Sequence, residues 1–243
     1  MSVTDRTLRR RRGLALLIGI PVMLALAFWA MTYTPVFRAR HIRVEGAGAL
    51  TADDVRTLAE VDGSTNVVHL DREAVVRRLE DNPWVAEASV RVELPNTLIL
   101  NVTQRRPVGV IDALGERGIL ASDATVLPPA DGVPQGLPVV RAALGAPDDD
   151  QRRAAASLLD VLDPVVTKRV GVVSVGQDGL VVLHLRSGTT VQMGEAGDEG
   201  AKAEALRAVL RWASSSGVEL TSIDVSAPTA PSVTLRDGST LSP

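Results

Sequence analysis

The sequence predicts an α+β protein: a single transmembrane helix followed by two exported modules rich in β-strands. Three observations carry this prediction. Residues 13–33 contain no charged side chain, segments with alternating apolar and polar residues recur after residue 40, and amphipathic helical segments lie between them. Val is the commonest of the residues that favour strands. Because Cys is absent, disulfides, thiolate nucleophiles and Cys-based zinc sites are excluded.

Residues 13–33 form the predicted membrane helix. A helix of 21 residues is roughly 31 Å long, which matches the hydrocarbon thickness of a bilayer. Pro21 lies inside the stretch, where bilayer helices tolerate proline. Trp29 and Tyr33 lie at its far end, where aromatic rings favour the membrane interface. We therefore assign Gly13, Pro21, Trp29 and Tyr33 to the membrane anchor.

Basic residues predict the orientation of this anchor. Residues 1–12 hold five Arg and one Asp, a net charge of +4, which places the N-terminus in the cytoplasm by the positive-inside rule. The predicted topology signal is the run Arg9, Arg10, Arg11 and Arg12. Binding of a cytoplasmic protein is the alternative role of this basic head.

A cleaved signal peptide is the alternative to a retained anchor. Ala25-Leu26-Ala27 resembles a cleavage site, but it falls inside the apolar stretch. That stretch also exceeds the roughly 7–15 residues of a signal-peptide core. We expect a retained anchor, and an exported part with a net charge of −7. An acidic exported part argues against nucleic acid as the partner.

The first exported module is predicted to fold in the order β-α-α-β-β. Its elements are a strand at residues 40–46, a helix capped by Thr51, a helix capped by Asp71, and strands at residues 88–94 and 97–103. Val90, Val92 and Leu94 are expected to face the helices, so that the two helices cover one side of a three-stranded sheet. Trp84 is expected to fill the core between helix and sheet.

The second exported module is predicted as a mixed β domain with two flanking helices. Its expected elements are a hairpin of residues 108–112 and 118–121, a loop over residues 128–138, a helix over about residues 148–162 that Pro164 ends, strands at residues 170–175, 180–185 and 189–193, a helix over about residues 199–213, and short strands at residues 222–225 and 232–235.

Several local motifs lie in register along almost the whole chain. They are Ile42-Arg43-Val44-Glu45-Gly46, the segment NPWVAEASV at residues 82–90, LPNTL at 94–98, VTQRRPV at 102–108, DALG at 112–115, VQMG at 191–194, Lys202, and Ile223-Asp224-Val225. On these motifs the chain resembles the bacterial cell-division family FtsQ/DivIB. Gln104 departs from the family pattern, which has Glu at that position.

The resemblance implies a domain organisation. Members of this family have a short cytoplasmic head, one membrane helix, an extracytoplasmic POTRA module and a β domain. The scheme expected here is a cytoplasmic basic head at residues 1–12, a transmembrane helix at 13–33, a juxtamembrane linker at 34–39, a POTRA domain at 40–106 and an FtsQ-type β domain at 107–243.

The resemblance also implies a scaffolding function at the division septum. Proteins of this kind hold FtsB-like and FtsL-like membrane proteins outside the membrane and so help to recruit the septal peptidoglycan synthase. The partner is expected to add a strand to the terminal strand of the β domain. Here the expected contact residues are Ser232, Val233, Thr234, Leu235 and Arg236. Lys202 is a further candidate, and the alternative for this residue is a solvated position on a helix. The short segment after Leu235 and its lack of aromatics imply an aliphatic or electrostatic contact.

Two other functional classes would need features that differ from these. A POTRA-bearing component of a transport or membrane-insertion machine would need several such modules or a β-barrel. A membrane-anchored enzyme would need a convergent catalytic set, whereas His41, His69 and His184 lie on separate segments. We therefore expect no catalytic residues, no cofactor and no metal site.

Overall fold

A computed structural model of the chain describes residues 19–46, 48–113, 116–129, 135–142 and 145–242. The predicted basic head, Gly13 and parts of two predicted loops lie outside these residues. Contacts between Cα atoms divide the chain into two units, the first ending at Thr103 and the second beginning at Gln104.

Residues 19–31 form helix α1, whose large apolar side chains are exposed. Phe28, for example, is 71% exposed. Within the described ranges, no helix combines the length and the apolar character that crossing a membrane requires. The predicted membrane helix extends back to Gly13, and its residues 13–18 lie outside those ranges.

A short connection leads from α1 into the first sheet. It contains a 3-10 helix, Pro35–Phe37. The backbone N–H of Ala39 donates to the Thr65 carbonyl at 2.8 Å, and the N–H of Val67 donates to the Phe37 carbonyl at 2.9 Å. These two bonds attach the connection to the loop that contains Thr65 and Val67.

The first unit contains a three-stranded sheet and two helices in the predicted order. The elements are β1 His41–Glu45, α2 Ala52–Ala59, α3 Arg72–Glu80, β2 Val85–Glu93 and β3 Thr97–Gln104. The strand order is β1-β3-β2, and β1 runs parallel to β3. Both predicted helix caps are confirmed: the Thr51 hydroxyl accepts from the Asp54 N–H, and Asp71 accepts from the Ala74 N–H.

The core of the first unit lies between these helices and the sheet. Buried residues of the two helices pack with alternate residues of the central strand β3: Val55, Ala59, Val75, Leu79, Leu98, Leu100 and Val102. Trp84 is buried as predicted. The prediction for Leu94 is wrong, because this side chain is 68% exposed. β2 ends at Glu93, so Leu94 belongs to the turn and no longer follows the alternation of the strand.

The second unit is built on one ten-stranded sheet. Its strands are β4 Pro107–Ala113, β5 Glu116–Ala121, β6 Val126–Leu127, β7 Val139–Ala142, β8 Val170–Val175, β9 Val181–Leu185, β10 Thr190–Gly194, β11 Leu220–Asp224, β12 Ser232–Leu235 and β13 Thr240–Leu241. The strand order is β13-β12-β11-β10-β9-β8-β7-β4-β5-β6. The pairs β4/β7, β7/β8 and β10/β11 are parallel, and the other pairs are antiparallel.

Three helices accompany this sheet: α4 Asp149–Val161, α5 Pro164–Arg169 and α6 Glu199–Ser216. One continuous apolar core contains residues of the sheet together with Leu158, Val166 and Leu206 of the three helices. The prediction that Pro164 ends helical structure is incomplete. α4 does end at Val161, but Pro164 occupies the first turn of α5, where a proline ring is compatible with the helix.

Candidate partner-binding edge

The predicted contact strand lies near one end of the ten-stranded sheet. β12 pairs with β11 on its inner side, with Val233 opposite Ile223 and Thr234 opposite Ser222. The Val233 side chain is 1% exposed and belongs to the core, whereas Ser232, Thr234 and Leu235 are half-buried. β12 is therefore fixed to the domain by its own core residue.

β12 is not the terminal strand of the sheet, which corrects the prediction from the family resemblance. β13 follows it and pairs with its outer side, with Val233 opposite Leu241 and Thr234 opposite Thr240. Both residues of β13 are exposed. The outer edge of β12 is thus covered over two residue pairs by a strand of only two residues.

Local turn chemistry explains why the chain folds back after β12. Gly238 has a φ of +86°, a value that glycine adopts without steric cost. The Asp237 carboxylate accepts from the Ser239 hydroxyl at 2.6 Å and from the Ser239 N–H at 2.9 Å. Both hydrogen bonds stabilise the carboxylate and therefore lower the pKa of Asp237. The bond from the hydroxyl has the larger effect, followed by the bond from the backbone N–H. This Asp-Gly-Ser signal was present in the sequence but was not used in the prediction.

Backbone directions identify the groups that β12 presents outward. The Leu235 N–H donates to the Ser239 carbonyl at 2.9 Å, on the side of β13. The Arg236 N–H donates to the Glu219 carbonyl at 3.2 Å, on the side of β11. Because directions alternate along a strand, the N–H of Val233 points outward with that of Leu235. The Arg236 side chain is exposed and forms an ion pair with Glu219.

Lys202 lies apart from this edge, on helix α6. Its residue is 7% exposed, and its Nζ donates to the Glu195 carbonyl at 2.6 Å. The alternative of a solvated helix position is therefore wrong. The ammonium group holds the loop that precedes α6, so the structure gives Lys202 a position inside the domain rather than on its surface.

Of the residues assigned to the predicted anchor, Trp29 lies near the end of α1 and Tyr33 just after it. The rings of Trp29 and Tyr33 meet edge to face at 5.0 Å, and the ring of Tyr33 stacks on that of His69 at 4.1 Å. The Thr32 hydroxyl lies 2.8 Å from Nε2 of His69, and the Asn66 amide donates to the Thr32 carbonyl at 2.8 Å. Pro21 lies within α1, whereas Gly13 and Arg9 to Arg12 are outside the described ranges.

Candidate metal ligands do not converge in the part of the chain that the structure describes. No group of three His, Asp or Glu side chains there could hold a metal ion. His41 lies on β1, His69 in the loop before α3 and His184 on β9, where its Nε2 is 3.2 Å from the Ser174 hydroxyl.

Comparisons with protein families match nearly all of the described chain. Residues 37–105 match the family model for the POTRA domain, FtsQ-type. Residues 109–240 match the model for the C-terminal part of cell division protein FtsQ/DivIB. The second match covers most of the sheet, its three helices and the first of the two residues of β13.

Individual relatives carry the same name. Cell division protein FtsQ of Mycolicibacterium smegmatis is 31% identical over 232 residues, which cover 91% of this chain and 66% of the relative. Cell division protein FtsQ of Streptomyces collinus is 30% identical over 236 residues, covering 92% and 88%. The chain thus spans about two thirds of the length of the Mycolicibacterium relative.

Among solved structures, similarity was found to the major extracytoplasmic domain of the trans isomer of the cell division protein DivIB from Geobacillus stearothermophilus. The TM-score is 0.34 at 16% identity, covering 46% of this chain and 93% of the other. The two family models and the relatives establish the assignment without it. The chain belongs to the FtsQ/DivIB family of cell division proteins.

Proposed function

We propose that this protein is a membrane-anchored, non-catalytic scaffold of the division septum. In this proposal it holds FtsB-like and FtsL-like partners by extracytoplasmic contacts and so helps to recruit septal peptidoglycan synthesis. Family membership supports the role in division. The observation that supports partner binding is the sheet end formed by β12 and β13.

The proposed membrane topology has one transmembrane helix at residues 13–33. The basic head at residues 1–12 lies in the cytoplasm, and residues 34–39 link the helix to a POTRA domain at 40–106 and a β domain at 107–243. The charge of +4 on residues 1–12 supports this orientation. In this orientation both folded units lie outside the membrane, where extracytoplasmic partners are accessible.

The partner strand pairs with β12 in place of β13 in this proposal. β13 is a weak occupant because it has two residues, and both are exposed. β12 is a firm template because Val233 anchors it in the core. A partner strand that follows all four residues of β12 forms more backbone hydrogen bonds than β13 does, and each such bond contributes roughly 1 kcal/mol.

Removal of β13 tests this displacement. A chain that stops after Arg236 leaves the outward edge of β12 unpaired. We expect this chain to bind an FtsB-like partner about tenfold more tightly than the full chain, because the two residue pairs between β12 and β13 no longer have to be broken. Affinity is measured by titrating the labelled partner against full-length protein in detergent. Loss of capture by a folded, truncated chain would show that the partner adds to β13 instead.

Leu235→Pro is the complementary variant, because it removes an outward N–H from β12 while the inner pairing is kept. We expect weaker capture in both chain lengths. Val233 is unsuitable for this test because its side chain is in the core. The matched control is Val126→Pro on β6, the strand at the opposite end of the sheet, whose side chain is 43% exposed. Equal loss of capture in the control would contradict an edge-specific contact.

A further inference from the structure

A cleft opens between helices α5 and α6 of the second unit. It has a volume of about 510 Å³, and its apolar lining is formed by Val165, Val166 and Leu210. Val165 is 63% exposed, so an apolar side chain of the lining is open to solvent. The cleft is therefore an open surface with an apolar floor.

A second hollow of about 780 Å³ continues from this cleft towards the turn between β9 and β10. The two share Arg169, Leu210 and Ser214. We refer to the two hollows together as the α5–α6 groove. Its far end is lined by Arg236, at the end of β12.

Positive charge is concentrated along this groove. Residues 104–243 contain 13 Lys or Arg and 17 Asp or Glu, so this unit is acidic as a whole. The groove is nevertheless lined by six of those basic residues and by only two of those acidic residues, Asp163 and Glu219. The six cations are Lys168, Arg169, Arg186, Arg207, Arg211 and Arg236.

Most of these cations are not neutralised by the domain itself. Within the described ranges, Lys168, Arg169, Arg186 and Arg211 have no carboxylate within ion-pair distance. Arg186 donates instead to the backbone carbonyls of Lys168 and Gly136, both at 3.1 Å. Arg207 is only loosely paired, at 3.9 Å from Asp163 and 3.7 Å from Glu204.

Arg207 and Arg211 also lie one helical turn apart on the same side of α6. Like charges at this spacing destabilise a helix by a few tenths of a kcal/mol. A cost of this kind is offset when a negatively charged ligand binds between the two groups. Arginine is well suited to carboxylates because its guanidinium group can donate two parallel hydrogen bonds.

We propose that the α5–α6 groove binds an acidic, amphipathic peptide segment of a partner protein. The apolar floor takes up aliphatic side chains of that segment, and the arginines along the rim bind its carboxylates. The apolar floor favours a peptide over a phosphate headgroup, which offers charge without an alternating apolar face. The groove shares Arg236 with the β12 edge, but its apolar floor and the pair Arg207 and Arg211 lie on α5 and α6. This contact goes beyond the strand pairing proposed above.

The test uses the full-length chain in neutral detergent and a labelled synthetic helix of about 16 residues, with Leu every three to four positions and Glu elsewhere. Binding is followed by fluorescence anisotropy. The variant Arg207→Glu with Arg211→Glu reverses two exposed charges of the groove and should weaken binding at least about tenfold. The pair Arg117→Glu and Arg153→Glu is the matched control, because it makes the same change in net charge on exposed residues outside the groove. It should change binding by less than about twofold.

Three outcomes would overturn the proposal. Equal weakening in both pairs would mean attraction by overall charge, and no weakening in the groove pair would exclude the groove. Binding of soluble dihexanoyl-phosphatidylglycerol at the groove, without binding of the peptide, would assign it to lipid headgroups. If the reversed pair fails to fold, Arg207→Gln with Arg211→Gln tests the same contact, with about a threefold loss expected. The assay contains no FtsB-like partner, so its result is independent of the strand-displacement test.

Discussion

Gly46 ends strand β1 in a conformation that other residues avoid. Its φ is +81°, and a Cβ at this position would overlap the Val102 carbonyl oxygen of the central strand β3. Both the backbone angle and the close approach require glycine. We expect Gly46→Ala to lower the free energy of unfolding of the first unit by at least about 2 kcal/mol, measured by calorimetry on the full-length chain.

Gly63→Ala is the matched control for this substitution. A Cβ at Gly63 would have only the Ala39 carbonyl oxygen nearby, at 3.9 Å, which is an ordinary contact. We expect its unfolding temperature to stay close to that of the parent chain. Similar losses of stability in the two variants would mean that the close approach of Gly46 to β3 does not explain the effect of alanine.

Lys202 shows where sequence reasoning at the level of single residues stops. A Lys on an amphipathic helix predicts a solvated side chain, because burial of an ammonium group is costly. Here the Glu195 carbonyl lies close enough to accept its hydrogen bond. Gln151 is similar: it is 7% exposed and donates to the carbonyls of Val175 and Gly176. The accepting carbonyls belong to the loop before α6 and to the end of β8. That they lie beside Lys202 and Gln151 depends on tertiary packing, which no local pattern predicts.

An ion pair links the first residues of the second unit to the turn between β5 and β6. Nε of Arg105 donates to Asp123 at 2.6 Å, and the Thr125 N–H donates to the same carboxylate at 3.1 Å. Burial raises the pKa of Asp123, but the bonds from Arg105 and Thr125 and the charge of Arg105 outweigh it. The pKa of Asp123 therefore lies below its ordinary value.

This lowered pKa predicts a loss of stability in acid. A carboxyl group with a lower pKa in the folded state stabilises the fold above its unfolded pKa of about 3.9, and this contribution is lost as the pH falls through the folded value. Asp123→Asn should therefore lower stability at pH 7 by no more than about 1 kcal/mol, since the pair is partly exposed, and the difference should vanish in strong acid. Calorimetric unfolding from neutral to acidic pH measures this.

Arg105→Gln tests the origin of the effect. It should produce a change of the same sign, and the double variant should lose less than the sum of the two single losses, because both substitutions remove one interaction. Additive losses would mean that Asp123 is stabilised mainly by Thr125 and that Arg105 acts through its other contacts.

Most elements were predictable because their signals are local. Alternation predicted β1 and β2, and turn residues between the strands predicted β8 to β10. Capping residues predicted the starts of α2 and α3, and acidic residues predicted the start of α4. α5 was missed because Pro164 signals both the end of one helix and the first turn of the next. The order of the ten strands could not be derived, since β7 joins β4 and β8 through parallel pairings between segments distant in the sequence.

At the scale of the whole molecule, the charges are distributed unevenly along the chain. Residues 1–12 carry +4, whereas the remainder carries −7, and within that acidic remainder the α5–α6 groove concentrates cations. The basic head is proposed to orient the chain, and the groove is proposed to bind a partner. The sheet end at β12 is a third kind of contact, because backbone groups rather than charges supply it.

The basic head is proposed to determine how the chain is oriented in the membrane. Arg38, Arg40 and Arg43 follow the predicted membrane helix, so neutralising the head leaves the far side more positive. Replacing Arg9 to Arg12 with Gln should therefore invert a large fraction of the chains. Protease added to intact spheroplasts should digest the second unit of the parent chain and leave that of inverted chains protected.

Replacement of the same four residues with Lys keeps the charge and should keep the orientation. If the Gln variant keeps the parental orientation, the head does not determine topology. If the Lys variant keeps the orientation but no longer supports cell division, the arginines bind a cytoplasmic partner as well.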